Sequence, residues 1–245
     1  WLALSQSGRR RSMLFAALLV SLALQASSPA ASATTPAPTA HLGGSGDARF
    51  QACVDLIDHN AGQAYEEGMA WAAETHEVGG YRCAAMALVA QEGRAAEGAR
   101  RLESLAVSVS PDSTGLRAEL LSQAGNAYLL AYDPGHARNA LTQAITIMAS
   151  ARDQLPDLYI DRARAYAMDH DYRNAEEDLS RALDIRANDA LALRLRASAR
   201  MHQNAFDLAE ADAQAAVALE PTNVDALVTL GNARESKRTG HAVEE

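Results

Sequence analysis

A repeated spacing of small residues constrains this chain of 245 residues more than any other feature. Ala163 follows Gly125 by 38 positions, Ala197 follows Ala163 by 34, and Gly231 follows Ala197 by 34. A period of that size marks a helical solenoid, because each repeat is one supersecondary unit that cannot bury its apolar face without its neighbours. The clearest unit is residues 156–189, PDLYIDRARAYAMDHDYRNAEEDLSRALDIRAND. In it Ala163, Ala175 and Ala182 supply the small side chains that two antiparallel helices need where they cross. Tyr159, Tyr166, Tyr172, Leu179, Leu183 and Ile185 recur at helical spacing on the faces turned inward, on either side of a turn at 169–171.

The order of bulky Tyr159, small Ala163 and Tyr166, then Ala175, Leu179 and Ala182 across the turn, strongly resembles a tetratricopeptide repeat (TPR). The resemblance implies an all-α, right-handed solenoid of about five helix pairs plus a cap, over residues 47–245. Residues 118–151 fit through Gly125, Asn126, Ala127, Tyr128, Ala137, Leu141 and Ala144. Residues 190–223 fit through Ala197, Phe206, Ala209 and Ala216, and close at Glu220-Pro221, where proline ends the helix. Two units are degenerate. Residues 79–112 keep Gly93 at the turn and Leu102 and Leu105 inside, but Met86 falls at a position for a small residue. Residues 45–78 fit only through Ala52 and Ala64, with Trp71 at a crossing position, so this pair either packs differently as an N-terminal cap or follows a shifted register. Residues 224–238 begin a further unit with Leu227, Leu230, Gly231 and Asn232 and read as a capping helix, followed by a frayed tail over 239–245.

The N-terminal stretch carries Arg9, Arg10 and Arg11, an apolar run from Met13 to Leu24, and the small residues Ala31-Ser32-Ala33. That order is expected of a secretory signal peptide over 1–33, cut after Ala33, by the general route or by the twin-arginine route that Arg10-Arg11 loosely suggests. A retained membrane anchor is the rival, although the run is shorter than the roughly 20 residues that span a bilayer. Residues 34–46, TTPAPTAHLGGSG, read as a flexible linker. Cleavage would take three of the 22 basic residues and none of the 31 acidic ones, changing the net charge from −9 to −12. Such a surface repels nucleic acid and anionic membrane. The expected location is periplasmic or secreted.

Export changes the meaning of Cys53 and Cys83. In an oxidising compartment they are expected to form a disulfide, the alternative being two buried free thiols. The spacing of Cys53, His59, His76 and Cys83 matches no zinc motif, and no nucleophile motif, phosphate loop or other catalytic or cofactor constellation is legible. The function expected from the resemblance is a non-enzymatic adaptor that holds a segment of another cell-envelope protein in its concave groove. Carried over from the family, the groove positions are Asn126, Arg164, Ser198 and Asn232, with Ser122, Ile160, Arg194 and Val228 one turn earlier. Arg164 and Arg194 suit a carboxylate. The alternatives are that Arg164 pairs with Asp161 or Asp157, and that the chain self-associates through the unpaired helix at 224–238 as a structural scaffold.

Overall fold

The computed structural model describes residues 46–241, so the expected signal peptide, the expected linker up to residue 45 and residues 242–245 lie outside the described residues. Among the described residues there are ten α-helices and no strand. In chain order they are α1 Gly46–Thr75, α2 Val78–Ala90, α3 Ala95–Ser108, α4 Thr114–Leu130, α5 Pro134–Ile147, α6 Leu155–Met168, α7 Tyr172–Ile185, α8 Ala190–His202, α9 Phe206–Leu219 and α10 Val224–His241. None of them is long and apolar enough to cross a membrane. α1 is itself a hairpin. Asn60 leaves helical geometry (φ −155°, ψ 83°), and the arm 61–75 folds back on 46–59, so that Arg49 Nη2 reaches Glu74 Oε2 at 3.1 Å. The Asn60 side chain caps the second arm by accepting from the Gln63 amide at 3.0 Å.

The later pairs turn by one device. Tyr132, His170 and Asn204 each take a left-handed backbone, with φ of 56°, 60° and 60°. The amide three positions past each helix then closes back on the helix: Asp133 N on Tyr128 O, Asp171 N on Tyr166 O and Ala205 N on Arg200 O, at 2.9 to 3.0 Å. Asp133 and Asp171 also start the next helix by accepting from the amides of His136 and Asn174. Only the turn of the second pair uses glycine for this conformation, at Gly93 (φ 74°).

Small residues stand where helices cross. Ala163, Ala175, Ala182, Ala197, Ala209 and Ala216 are buried, and a Cβ on Gly125 would lie 2.5 Å from Leu141 Cγ. The N-terminal crossings use other residues than the sequence pattern suggests. A Cβ on Gly98 would meet Val89 Cγ2 at 2.5 Å and the Ala85 carbonyl at 2.6 Å, so α2 meets α3 there through Val89 and fully buried Ala85, the latter one position before Met86. Trp71 is buried because the opposing residue is Gly79, whose Cβ would come within 2.4 Å of the indole ring, and because its Nε1 donates to Glu77 Oε2 at 3.0 Å. Cys53 and Cys83 tie the first arm of α1 to α2, their sulfurs 1.94 Å and their Cα atoms 6.0 Å apart. At the other end α10 stays helical through 239–241, where a tail was expected, and Gly240 packs against Phe206.

Two buried ion pairs recur at the repeat distance. Arg162 donates to both oxygens of Asp178 (2.7 and 2.8 Å) and to Thr142 Oγ1 (3.0 Å). Arg196, 34 positions later, donates to both oxygens of Asp212 (2.8 Å each) and to Ser180 Oγ (3.1 Å). Each guanidinium thus joins the first helix of a pair to the second helix of the same pair and to the second helix of the preceding one. The planar fork matches the carboxylate, which compensates the cost of burying both charges.

Candidate partner-binding groove

The first helices of the third, fourth and fifth pairs are α4, α6 and α8, and α10 occupies the equivalent place next in line. The arginine clamps fix the rotation of α6 and α8. With Arg162 and Arg196 turned into the interior, Arg164 and Ser198, two positions further on, come to the other side of their helices.

The structure separates the expected groove residues into three groups. On α4 and α6, Asn126, Asp161 and Arg164 form one network: Asn126 Nδ2 donates to Asp161 Oδ2 at 2.6 Å and to the Ser122 carbonyl at 3.3 Å, and Arg164 Nη1 donates to Asp161 Oδ1 at 3.2 Å. Burial pushes the Asp161 carboxyl above the ordinary aspartate range, against the hydrogen bonds from Asn126 and Arg164 that favour its ionised form. Arg164 is exposed but engaged. Asp157, its other possible partner, is held by Arg186 at 2.5 Å. On α8, Arg194 is half-buried and makes no hydrogen bond or ion pair among the described residues, and half-buried Ser198 follows one turn later. On α10, Asn232 and Val228 are exposed. Ile160 does not line the groove. It is 3% exposed and belongs to the apolar cluster with Ala163, Leu179 and Leu193, so the family position is here a core position.

Arg164 and Ser198 instead border a pocket of about 260 Å³ between α6, α7 and α8, with Met168, Tyr172, Leu179 and Leu195 as its larger apolar walls. Tyr172 is held in place by a parallel stack on His202, with centroids 4.1 Å apart, and by its hydroxyl contact with His170 Nδ1 at 2.9 Å. The sequence pattern assigned Tyr172 and Leu179 to the interior, and Met168 and Leu195 had no role in it. A helical pattern reports which side of one helix is apolar, whereas this pocket arises because the small side chains Ala163, Ala167 and Ala199 leave space between three helices. A wider and more open cleft of about 720 Å³ lies elsewhere, between the second arm of α1, α2 and α3. It contains none of the groove positions; of its two arginines, Arg101 is bound to Glu97 Oε1 at 3.0 Å, whereas exposed Arg100 makes no hydrogen bond or ion pair among the described residues. The α6–α8 pocket is the better site because three helices enclose it with an apolar floor, the groove positions Arg164 and Ser198 border it, and half-buried, uncommitted Arg194 stands one turn from Ser198.

No protein-family model matches the chain. It is 34% identical over 103 residues to protein unc-45 homolog B of Homo sapiens and 32% identical over 110 residues to protein unc-45 homolog B of Xenopus tropicalis. These matches take in 42% and 45% of this chain but only 11% and 12% of those proteins. Among solved structures, the MamA RS-1 ArsTM double mutant superposes with a TM-score of 0.57 at 15% identity, over 73% of this chain and 97% of that one. Helix order, crossing residues and this superposition together establish that the chain has the fold of an all-α TPR solenoid.

Proposed function

We propose that the chain is a non-enzymatic adaptor whose α6–α8 groove holds an extended segment of another envelope protein. An acidic side chain or a terminal carboxylate of that segment meets Arg194, and a neighbouring apolar side chain enters the pocket floored by Leu179 and Tyr172. The observation that carries this reading is Arg194: a half-buried guanidinium with no partner among the described residues, one turn from Ser198 at the pocket rim. Every other groove cation is already neutralised, since Arg164 is paired to Asp161. A charge-assisted bond to a guanidinium partly screened from water is a source of affinity that a solvated rim charge does not provide. The periplasm is the proposed location, supported by the basic, apolar and small-residue order of residues 9–33 and by a cysteine pair at bonding distance, which an oxidising compartment would preserve.

The test is crosslinking in living cells with a photoreactive residue in place of Arg194, the products being identified by mass spectrometry. A discrete foreign protein is expected, and its copurification with the unmodified chain should be lost on Arg194→Glu while melting is unchanged. The single variant is preferred to one that also reverses Arg164, because a glutamate at 164 would face the buried Asp161 and disturb the fold. Absence of a foreign crosslink at 194, or copurification that survives Arg194→Glu, would remove the groove from the account.

A further inference from the structure

Asp161, Asp178 and Asp212 are the buried acids among the described residues, and the first is held unlike the other two. Asp178 and Asp212 each receive both bonds of a guanidinium fork and a further bond from a second arginine, Arg181 and Arg200 respectively. Asp161 has one oxygen on the neutral amide of Asn126 and the other on a single nitrogen of Arg164, at 3.2 Å. That arginine's side chain is 42% exposed. A buried carboxylate so weakly compensated favours its neutral form, in keeping with the upward displacement of its titration. The contact also costs the groove a charge. Arg164 borders the pocket with Nε and Nη2 unbonded among the described residues, but the carboxylate beside it cancels the field that would draw an acidic ligand.

We infer that Asp161 is a proton-linked gate on the groove: when its carboxyl is protonated the charge of Arg164 is released, and Arg164 joins Arg194 in holding a segment with two acidic side chains. The inference rests on the α6–α8 groove being the binding site. The proton comes from water and goes to Oδ1, the oxygen facing Arg164, because Oδ2 is occupied in accepting from Asn126. A neutral carboxyl donates there instead of accepting, so it meets an arriving carboxylate with a hydrogen bond rather than with repulsion. The other charges around Asp161 are already committed. Asp157 on α6 is held by Arg186, Glu119 on α4 by Arg82, and toward α5 and α7 the adjacent Arg162 is clamped on Thr142 and Asp178. Arg194 is the cation that α8 adds to the groove face. Linkage fixes the sign: a ligand that binds better when Asp161 is neutral takes up a proton on binding, so its affinity rises as pH falls. The rise ends where the ligand's own carboxylates protonate, near about pH 4.

The probe is the capped peptide AELEA, whose glutamates flank a leucine for the pocket. It is titrated into the full chain by calorimetry from about pH 8 to about pH 5, in two buffers of different ionisation enthalpy, which reports proton uptake directly. Affinity is expected to rise about tenfold over that range, with uptake of up to about one proton per peptide. Asp161→Asn, whose amide oxygen still accepts from Asn126, should bind at the low-pH affinity throughout and take up no proton. Arg164→Gln, a change at an exposed side chain, should stay at the weaker affinity at every pH. Flat affinity without proton uptake, while Arg194→Glu still abolishes binding, overturns the gate and leaves the groove standing. A pH dependence that survives either substitution belongs to His170 and His202, which hold Tyr172 on another wall of the pocket, and overturns the gate as well. A peptide that binds at neither pH, or that ignores Arg194→Glu, removes the groove and the gate with it.

Discussion

The two ends of the solenoid hold similar helix pairs together by different chemistry. From α1 to α3 the contacts are close backbone approaches, at Gly68, Gly80 and Gly98, each with a position for Cβ under 3.0 Å from a neighbouring atom, together with the Cys53–Cys83 link. From α6 to α9 the same work is divided between buried alanines and the Arg162–Asp178 and Arg196–Asp212 pairs. The central pair has a close glycine, Gly125, and buried alanines, but neither an ion pair of this kind nor a disulfide. Its counterparts of Arg162 and Asp178, 38 positions earlier, are Ala124 and Ala140, both fully buried. A solenoid interface therefore does not need an ion pair to form. Where one is present it fixes the rotation of the first helix, and with it which residues reach the groove; that end of the molecule is the one carrying Arg164, Arg194 and the pocket.

The largest effect should come from leaving one clamp half-made. Asp178→Ala strands the guanidinium of Arg162, whose side chain is 10% exposed, and should cost about 3 to 5 kcal/mol in chemical denaturation. Arg162→Met with Asp178→Leu removes both charges at similar volume and should recover most of that loss, as the alanines of the central pair suggest. The comparison is broken if the double variant is as unstable as the single one, because the pair would then be doing something that apolar packing cannot replace.

The N-terminal end should respond next. Cys53 and Cys83 close a loop of 30 residues, and in the chain-entropy model their replacement by serine should lower stability by roughly 3 to 4 kcal/mol. In a nearest-neighbour solenoid the loss is local. Hydrogen exchange should accelerate over 46–90 and remain unchanged over 155–219. Uniform acceleration would mean that the two ends unfold as one cooperative unit and that the contrast between them has no energetic meaning.

The regular units could be read in the sequence because their constraint is local and repeated. Ala163, Ala175 and Ala182 must be small for two helices to cross, and the same demand returns in the next unit at Ala197, Ala209 and Ala216. The N-terminal units could be placed only approximately. Gly79 lets a tryptophan occupy a crossing, and Ala85 takes the position that the pattern gave to Met86, so the small residue has moved to the opposite helix or by one place. The clamps are not legible in a single unit, since an arginine and an aspartate 16 positions apart read as two solvated helix faces. Their recurrence 34 residues later, with Thr142 and Ser180 as matching hydroxyls, was the available signal. In the groove, the Arg164–Asp161 contact is one of the two pairings that spacing allows Arg164, the other being with Asp157. The pocket was invisible because it is made of space between three helices rather than of residues in a row.

Gly125 and Gly231 hold the same place in the repeat pattern, which makes their exchange for alanine the smallest and sharpest test. At Gly125 the new Cβ would sit 2.5 Å from Cγ of fully buried Leu141, and repacking should cost about 1 to 3 kcal/mol. At Gly231 there is nothing within 4 Å, so the substitution should gain about 0.5 to 1 kcal/mol by removing the entropy that a helical glycine loses on folding. Thermal melts of dilute protein, where any self-association is absent, would give opposite shifts. Two losses would mean that α10 is already covered on that side, and two gains that Leu141 has room to move. Opposite signs from one repeat position would establish that the glycine of the pattern answers to a packed helix, and that at Gly231 none is present.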